Sequence, residues 1–213
     1  SSFPYLICCF FTASYSFLHQ ILEQLRAQHQ YIEITLNTGD PALAINRVLD
    51  GHESMAIAAK PGKLPAQIAF VDIGHSPLVL IGPKVQCTIT EKLTSNNTEL
   101  DWSELEFIVP EQGFSRQRLE MWWRKNNIHG KIYAQVAGHE AMGSMVSLGF
   151  GVAMVPKIVL DNSPLKDKVQ ILTPKMQAPE GFDIGLAVLR KELNDPAISA
   201  LWNIAQTLDA KAI

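Results

Sequence analysis

Apolar positions along the first half of the chain change their period several times. The apolar run 6–11 predicts a buried strand, and apolar residues three and four positions apart from Phe17 onward predict a helix. The alternating segment 32–36 predicts a second strand, and Asp40-Pro41 offers an N-cap and a first-turn proline for a second helix. The buried strands expected next are 55–58 and 78–81.

The second half repeats this order after a polar, turn-rich stretch at 84–101, and it adds a strand and a helix at its end. The strands predicted here are 107–109, 131–136, 152–155, 169–172 and 182–189. The helices predicted here are 115–126, 139–148 and a last one after Asp195-Pro196.

The alternation of strands and helices predicts an α/β fold with largely parallel sheets, arranged as two Rossmann-like lobes. Residues 1–83 with 182–213 would form the first lobe and residues 84–181 the second. Two crossing strands, near 81–83 and 181–185, would join them. Because small ligands bind in crevices of such folds, we expect the binding site in a cleft between the lobes.

The composition is that of a globular protein, and the sequence has no dense block of basic residues. The 213 residues are 47% hydrophobic and 18% charged, with a formal net charge of −3, so the sequence does not predict a domain that holds duplex DNA by itself. The three cysteines, Cys8, Cys9 and Cys87, form neither a disulfide framework nor a metal-site spacing. We therefore expect reduced thiols in the cytoplasm. The apolar run near the N-terminus is too short to span a bilayer and follows no basic segment, so we expect no membrane association.

No pattern of residues indicates catalysis, a metal or a cofactor. His139-Glu140 lacks the second histidine of the zinc-protease pattern, and the sequence has no Gly-x-Ser-x-Gly elbow. Segment 138–156 runs from a helix through Gly149 into an apolar strand that ends at Pro156. Phosphate-binding loops have the opposite order, from strand to helix, so Gly149-x-Gly151 does not predict a nucleotide site.

The segment from Leu148 to Pro156 resembles the Leu-Gly-x-Gly-Val-x-x-x-Pro signature of the effector-binding domain of LysR-type transcriptional regulators. Four further features follow the order of that family along nearly the whole chain. These are Phe11-Thr12-Ala13-Ser14, Gly39, Gly51-x-x-x-x-Ala56-Ile57 and Glu111-Gln112-Gly113. The resemblance implies a fold like that of type 2 periplasmic binding proteins, and an N-terminal winged helix-turn-helix domain that these 213 residues lack.

Several shorter segments resemble the branch of the family that activates isoleucine–valine biosynthesis. They include Thr38-Gly39-Asp40, Lys60-Pro61, Gly138-His139-Glu140-Ala141-Met142 and Val159-Leu160-Asp161-Asn162-Ser163-Pro164. This resemblance implies acetolactate or acetohydroxybutyrate as the effector.

Helix N-termini that face the cleft would donate hydrogen bonds to the carboxylate of such an acid. With the resemblance, this predicts the ligand-binding residues Thr12, Ala13, Ser14, Lys60, Gln112, Gly113, Phe114, Gly138 and His139. Simpler roles stay open for several of them. Ser14 could be only an N-cap, 112–114 only a turn, His139 a solvated cap and Lys60 a surface lysine.

The resemblance also implies an antiparallel dimer, in which helix 17–29 and strand 32–36 of one chain meet helix 115–126 and strand 131–136 of its partner. The interface residues expected from it are Leu18, Leu22, Ile34, Trp122, Trp123 and Tyr133. The adjacent tryptophans could instead form an aromatic cluster inside the lobe. The full-length protein would be a homodimer or tetramer. DNA and RNA polymerase would be partners of the full-length protein only.

The function expected from the sequence is the ligand-sensing domain of a LysR-type activator. An exported solute-binding protein of a transporter would have the same two-lobed fold, and a signal peptide in the complete gene would favour it. An upstream helix-turn-helix would exclude it. A small α/β enzyme acting on a carboxylate would require catalytic side chains that converge in the cleft.

Overall fold

The computed structural model describes residues 5–11, 15–39, 41–95 and 100–208. The chain forms two compact units, Ser1–Ser76 with Phe182–Ile213, and Pro77–Gly181. Among the described residues, the strand after the first boundary, β5 (Leu78–Pro83), pairs only with strands of the second unit. The observed division therefore comes before this strand, whereas the sequence-based division at 83/84 assigned it to the first lobe.

The first unit is built on a five-stranded sheet in the order β2-β1-β3-β10-β4. Strands β1, β2 and β3 are parallel, and β10 is antiparallel to both β3 and β4. The strands are β1 (Tyr5–Phe11), β2 (Ile32–Thr38), β3 (Met55–Ala59), β4 (Ile68–Ser76) and β10 (Phe182–Leu189), and the helices are α1 (Tyr15–Gln28), α2 (Ala44–Leu49) and α7 (Pro196–Thr207).

Alternate residues of β3 face opposite sides of this sheet. Ala56 and Ala58 pack against Ala44 and Val48 of α2, and all four side chains are buried. Helices α1 and α7 pack together and supply a second apolar layer. Its buried residues are Phe17, Ile21, Leu25, Ile198, Leu201 and Ile204.

The second unit contains two small sheets. Strand β5 lies between β8 (Ala153–Pro156) and β9 (Val169–Leu172), and both pairings are antiparallel. Strands β6 (Glu106–Pro110) and β7 (Lys131–Val136) form a parallel pair. The amide of Ile108 donates to the carbonyl of Val152 at 2.9 Å, which joins the two sheets. The helices are α3 (Thr88–Thr94), α4 (Phe114–Lys125), α5 (His139–Ser147) and α6 (Lys157–Asp161).

The core of the second unit lies between α5 and the strands. Met142 and Val146, four residues apart on α5, share one helix face and are fully buried. They join one cluster with buried residues of the sheets and of α6, namely Ile81, Ile108, Ala153, Val155, Leu160 and Val169. In the described part of the chain, every helix is too short or too polar to traverse a lipid bilayer.

The structure confirms most predicted helices and strands to within a few residues, and Gly149 ends α5 with a φ of 89°. The expectation of largely parallel sheets is wrong for β5, β8, β9 and β10, because a strand's residue pattern does not encode its direction. Strand β4 was not predicted, since Asp72 and His75 interrupt its apolar run. Helices α3 and α6 were also missed, because each spans fewer than two turns.

The N-terminus of α7 gives a test of the first unit's stability. Asp195 caps this helix by accepting hydrogen bonds from the amides of Ala197 at 2.9 Å and Ile198 at 3.1 Å. Asp195→Ala should lower the free energy of unfolding by about 1 kcal/mol, whereas Asp195→Asn, which keeps an acceptor oxygen, should change it by only a few tenths. Urea denaturation followed by circular dichroism measures both. Equal loss in the two variants would show that the cap does not stabilise the helix.

Candidate functional site

Two helices of the second unit begin side by side at one edge of the parallel strands β6 and β7. The last residues of these strands, Pro110 and Val136, are paired, and the amide of Glu111 donates to the carbonyl of Val136 at 3.1 Å. The chain enters α4 at Phe114 and α5 at His139 shortly after these strand ends. Because parallel strands end at the same edge, both helix N-termini lie there.

Glycines precede both helices in conformations that other residues avoid. Gly113 has φ 90° and ψ −169°, and Gly138 has φ 82° and ψ 146°. The first amides of a helix have no partner within the helix and carry its positive dipole end, so this edge of the second unit is suited to an anion.

A side-chain contact joins the two helix starts. Ser115 Oγ and His139 Nε2 lie 3.0 Å apart, which is hydrogen-bond distance. Ser115 is only 6% exposed, and His139 is half-buried. The imidazole of His139 is thereby held against α4 at the point where both helices offer amide donors.

Arg116 connects the first turn of α4 to the strand ends at the same edge. Its guanidinium donates to the carbonyl of Pro110 at 3.1 Å and to Gln135 Oε1 at 3.0 Å, and it pairs with Glu120 at 2.6 Å. One side chain thus connects α4 with the ends of both β6 and β7, which limits how far the helix starts can separate.

The structure brings together five of the nine predicted ligand-binding residues. They lie at the N-termini of α4 and α5: Gln112, Gly113, Phe114, Gly138 and His139. Thr12, Ala13 and Ser14 lie outside the described residues. Arg116 was not predicted, and Ser115 was not among the predicted ligand-binding residues. Ser115 directly follows Phe114, but its contact with His139 depends on strand pairing across 24 residues.

Lys60 lies in the first unit and already has an anionic partner. Its ammonium donates to both carboxylate oxygens of Asp72, at 3.1 and 3.0 Å, and lies 5.6 Å from the centre of the Phe70 ring. These contacts support the surface-lysine interpretation.

The residues predicted for a dimer interface differ in their exposure. Tyr133 is 55% exposed and stacks on Phe150, which is 42% exposed, while Leu22 and Ile34 are half-buried. Leu18 is 7% and Trp122 is 3% exposed, so these two side chains offer almost no surface to a partner chain. This corrects the expectation for them.

The two adjacent tryptophans pack inside the second unit. Trp122 meets Trp102 edge to face at 5.4 Å between ring centres, and half-buried Trp123 meets Phe107 at 5.0 Å. This arrangement matches the aromatic-cluster alternative.

The sequence profile of the LysR substrate binding domain matches residues 6–209. The chain belongs to this family of regulatory domains, and the domain is not catalytic.

The relatives that are more than 40% identical to this chain are named transcriptional regulators or activators. The chain is 42% identical over 201 residues to the HTH-type transcriptional regulator IlvY of Escherichia coli (strain K12), a match that spans 93% of this chain and 67% of the relative. It is 41% identical over 196 residues to the HTH-type transcriptional activator IlvY of Haemophilus influenzae, spanning 91% of this chain and 66% of that protein.

Solved structures share the fold at lower identity. The effector binding domain of QuiR in complex with shikimate has a TM-score of 0.77 at 20% identity, covering 94% of this chain and 95% of that one. The regulatory domain of Synechocystis PCC6803 CcmR in complex with 2-PG has a TM-score of 0.79 at 14% identity, covering 98% of both chains. The architecture is therefore like that of periplasmic binding proteins, as expected from the sequence.

The backbone at Gly138 gives a test of this edge. A Cβ at position 138 would meet no atom within 4 Å, so Gly138→Ala carries only the strain of a positive φ, and it should lower the free energy of unfolding by about 1–3 kcal/mol.

Gly143, in the interior of α5, is the matched control. A Cβ there also meets no atom within 4 Å and the φ is ordinary, so Gly143→Ala should raise the free energy of unfolding by about 0.5–1 kcal/mol. Chemical denaturation gives both values. The same sign for the two variants would contradict the backbone geometry described here.

Proposed function

We propose that this chain is the ligand-sensing domain of a LysR-type activator of branched-chain amino-acid biosynthesis. Its effector is a small carboxylate, acetolactate or acetohydroxybutyrate, held at the N-termini of α4 and α5. The observation that carries the proposal is the contact of two helix starts through Ser115 and His139, in a chain 42% identical to IlvY regulators.

The chemistry of the edge suits a hydroxy-keto acid. The carboxylate accepts hydrogen bonds from first-turn amides, and each helix terminus stabilises the negative charge by about 0.3–1 kcal/mol, or up to ~2 when partly buried. The Ser115 hydroxyl and the His139 ring add polar groups that suit the keto and hydroxyl oxygens of the effector. Lys60 is left out of the proposed site, because its ammonium already pairs with the carboxylate of Asp72 at 3.0 Å.

Thr12, Ala13 and Ser14 stay predicted contacts of the effector. The location of the effector between the two lobes also stays a prediction. Sensing requires that the effector favour one conformation over another, since equal binding to both shifts nothing. A coupling free energy of about 1–3 kcal/mol between effector and DNA is enough for regulation. In the full-length protein, a homodimer or tetramer in the cytoplasm would pass this change to the helix-turn-helix. We propose that the exposed Tyr133 and the half-buried Ile34 lie at the interface between the two chains of the dimer.

Isothermal titration calorimetry of this chain with acetolactate tests the effector. Binding should be measurable below millimolar concentration, and Ser115→Ala and His139→Ala should each weaken it about 10-fold or more, because hydrogen bonds to a charged ligand are the stronger kind.

Two exposed residues serve as matched controls. His52 lies in the first unit and Ser144 on α5, and both side chains are exposed. His52→Ala and Ser144→Ala should leave the affinity unchanged. No heat at millimolar acetolactate or acetohydroxybutyrate would contradict the effector assignment, and equal losses in the control variants would contradict the site.

A further inference from the structure

The last segment of the second unit is tied to the helix that begins at the candidate site. Residues 173–181, here called the strap, run from the end of β9 to the start of β10. Gly181 is the last residue of the second unit and Phe182 the first of the returning first unit. The strap contains Pro174 and Pro179, which restrict its backbone.

Three contacts hold the strap against one face of α4. Arg118 donates to Glu180 Oε2 at 2.7 Å and Lys125 donates to Glu180 Oε1 at 3.2 Å. Between them, Trp122 Nε1 donates to the carbonyl of Gln177 at 2.9 Å. Residues 118, 122 and 125 are spaced four and three apart, so they share one side of the helix.

Glu180 is the centre of this arrangement. The Lys125 ammonium that donates to it, together with the Arg118 guanidinium beside it, lowers the pKa of Glu180 below its ordinary value. Both cations lie on α4 and are seven residues apart, so one carboxylate bridges two turns of the helix. The buried ring of Trp122, packed on Trp102, anchors the middle of the contact.

The two ends of α4 therefore meet different partners. Its first turn carries Ser115, which contacts His139, and the rest of the helix carries the three strap contacts. A helix of 12 residues is a rigid rod about 18 Å long. A shift of the whole helix along its axis would move Arg118, Trp122 and Lys125 relative to the strap, unless the strap moved with them.

We propose that Glu180 is a positioning residue, through which occupancy of the effector site on α4 reaches the chain segment that enters β10. This inference rests on the proposed function, because it concerns regulation from that same site. The contact between α4 and the strap sets the position of the α4 N-terminus, and a bound carboxylate alters the strap in return. Such coupling is reciprocal for binding equilibria.

The test compares Glu180→Gln with Asp161→Asn. Asp161 pairs with Lys157 within α6 at 2.6 Å and is exposed to a similar degree, 48% against 50% for Glu180, so the variants match in charge and exposure. One readout is the indole N–H signal of Trp122 in ¹H–¹⁵N spectra, assigned with Trp122→Phe. A second is hydrogen exchange of peptides covering 177–184.

Acetolactate should shift the Trp122 signal and change exchange in the strap of the wild-type chain. Glu180→Gln should lose most of both responses and bind acetolactate about 2- to 5-fold more weakly, whereas Asp161→Asn should behave as wild type. If acetolactate binds but the strap responses are absent, or are equal in all three proteins, the positioning role is overturned and the proposed function stands.

Spectra of the ligand-free chain test the positioning role if acetolactate does not bind. If calorimetry shows no heat with acetolactate, the proposed function fails, and the imidazole signals of His139 then test the strap alone. A change of these signals in Glu180→Gln but not in Asp161→Asn supports the positioning role for whatever ligand the edge takes. Unchanged His139 signals in both variants overturn it.

Discussion

The parallel pairing of β6 with β7 is the constraint on which the candidate site depends. It brings the residues after Pro110 and Val136 to one edge, and the two helices that follow must begin there. Ser115 and His139 then lie at hydrogen-bond distance although 24 residues separate them in sequence. A bulky or β-branched residue at position 113 or 138 would oppose this geometry, because both backbones adopt a conformation reserved for glycine.

Helix α4 gives this edge its link to the rest of the chain. The first turn of α4 forms part of the candidate site, and Arg116 connects this helix to the strand ends. The rest of α4 contacts residues 177–180 of the strap. The ion pairs among these contacts are individually modest, because solvent screens exposed charges. The proposed coupling depends on their arrangement along one rigid helix, with the effector site at one end and the strap along the rest.

Much of this fold could be predicted from the sequence, because helices and strands have different apolar periods and glycines mark several helix ends. Gly138 and His139 could be singled out through the LysR resemblance. Ser115 could not, since a serine near a helix start is usually a capping residue and its partner depends on the register of β6 and β7. The ion pair of Lys60 could not be predicted for a related reason. The partner of Lys60, Asp72, lies on β4, and the polar residues of this strand interrupt its apolar pattern in the sequence.

The central claim is that a carboxylate binds where α4 and α5 begin. A crystal structure of this chain grown with acetolactate measures it most directly. The account predicts carboxylate oxygens about 2.7–3.2 Å from first-turn amide nitrogens of α4 or α5, with Ser115 or His139 on the remaining oxygens. Acetolactate bound with its carboxylate on Lys60, or anywhere away from these two helix starts, would contradict it.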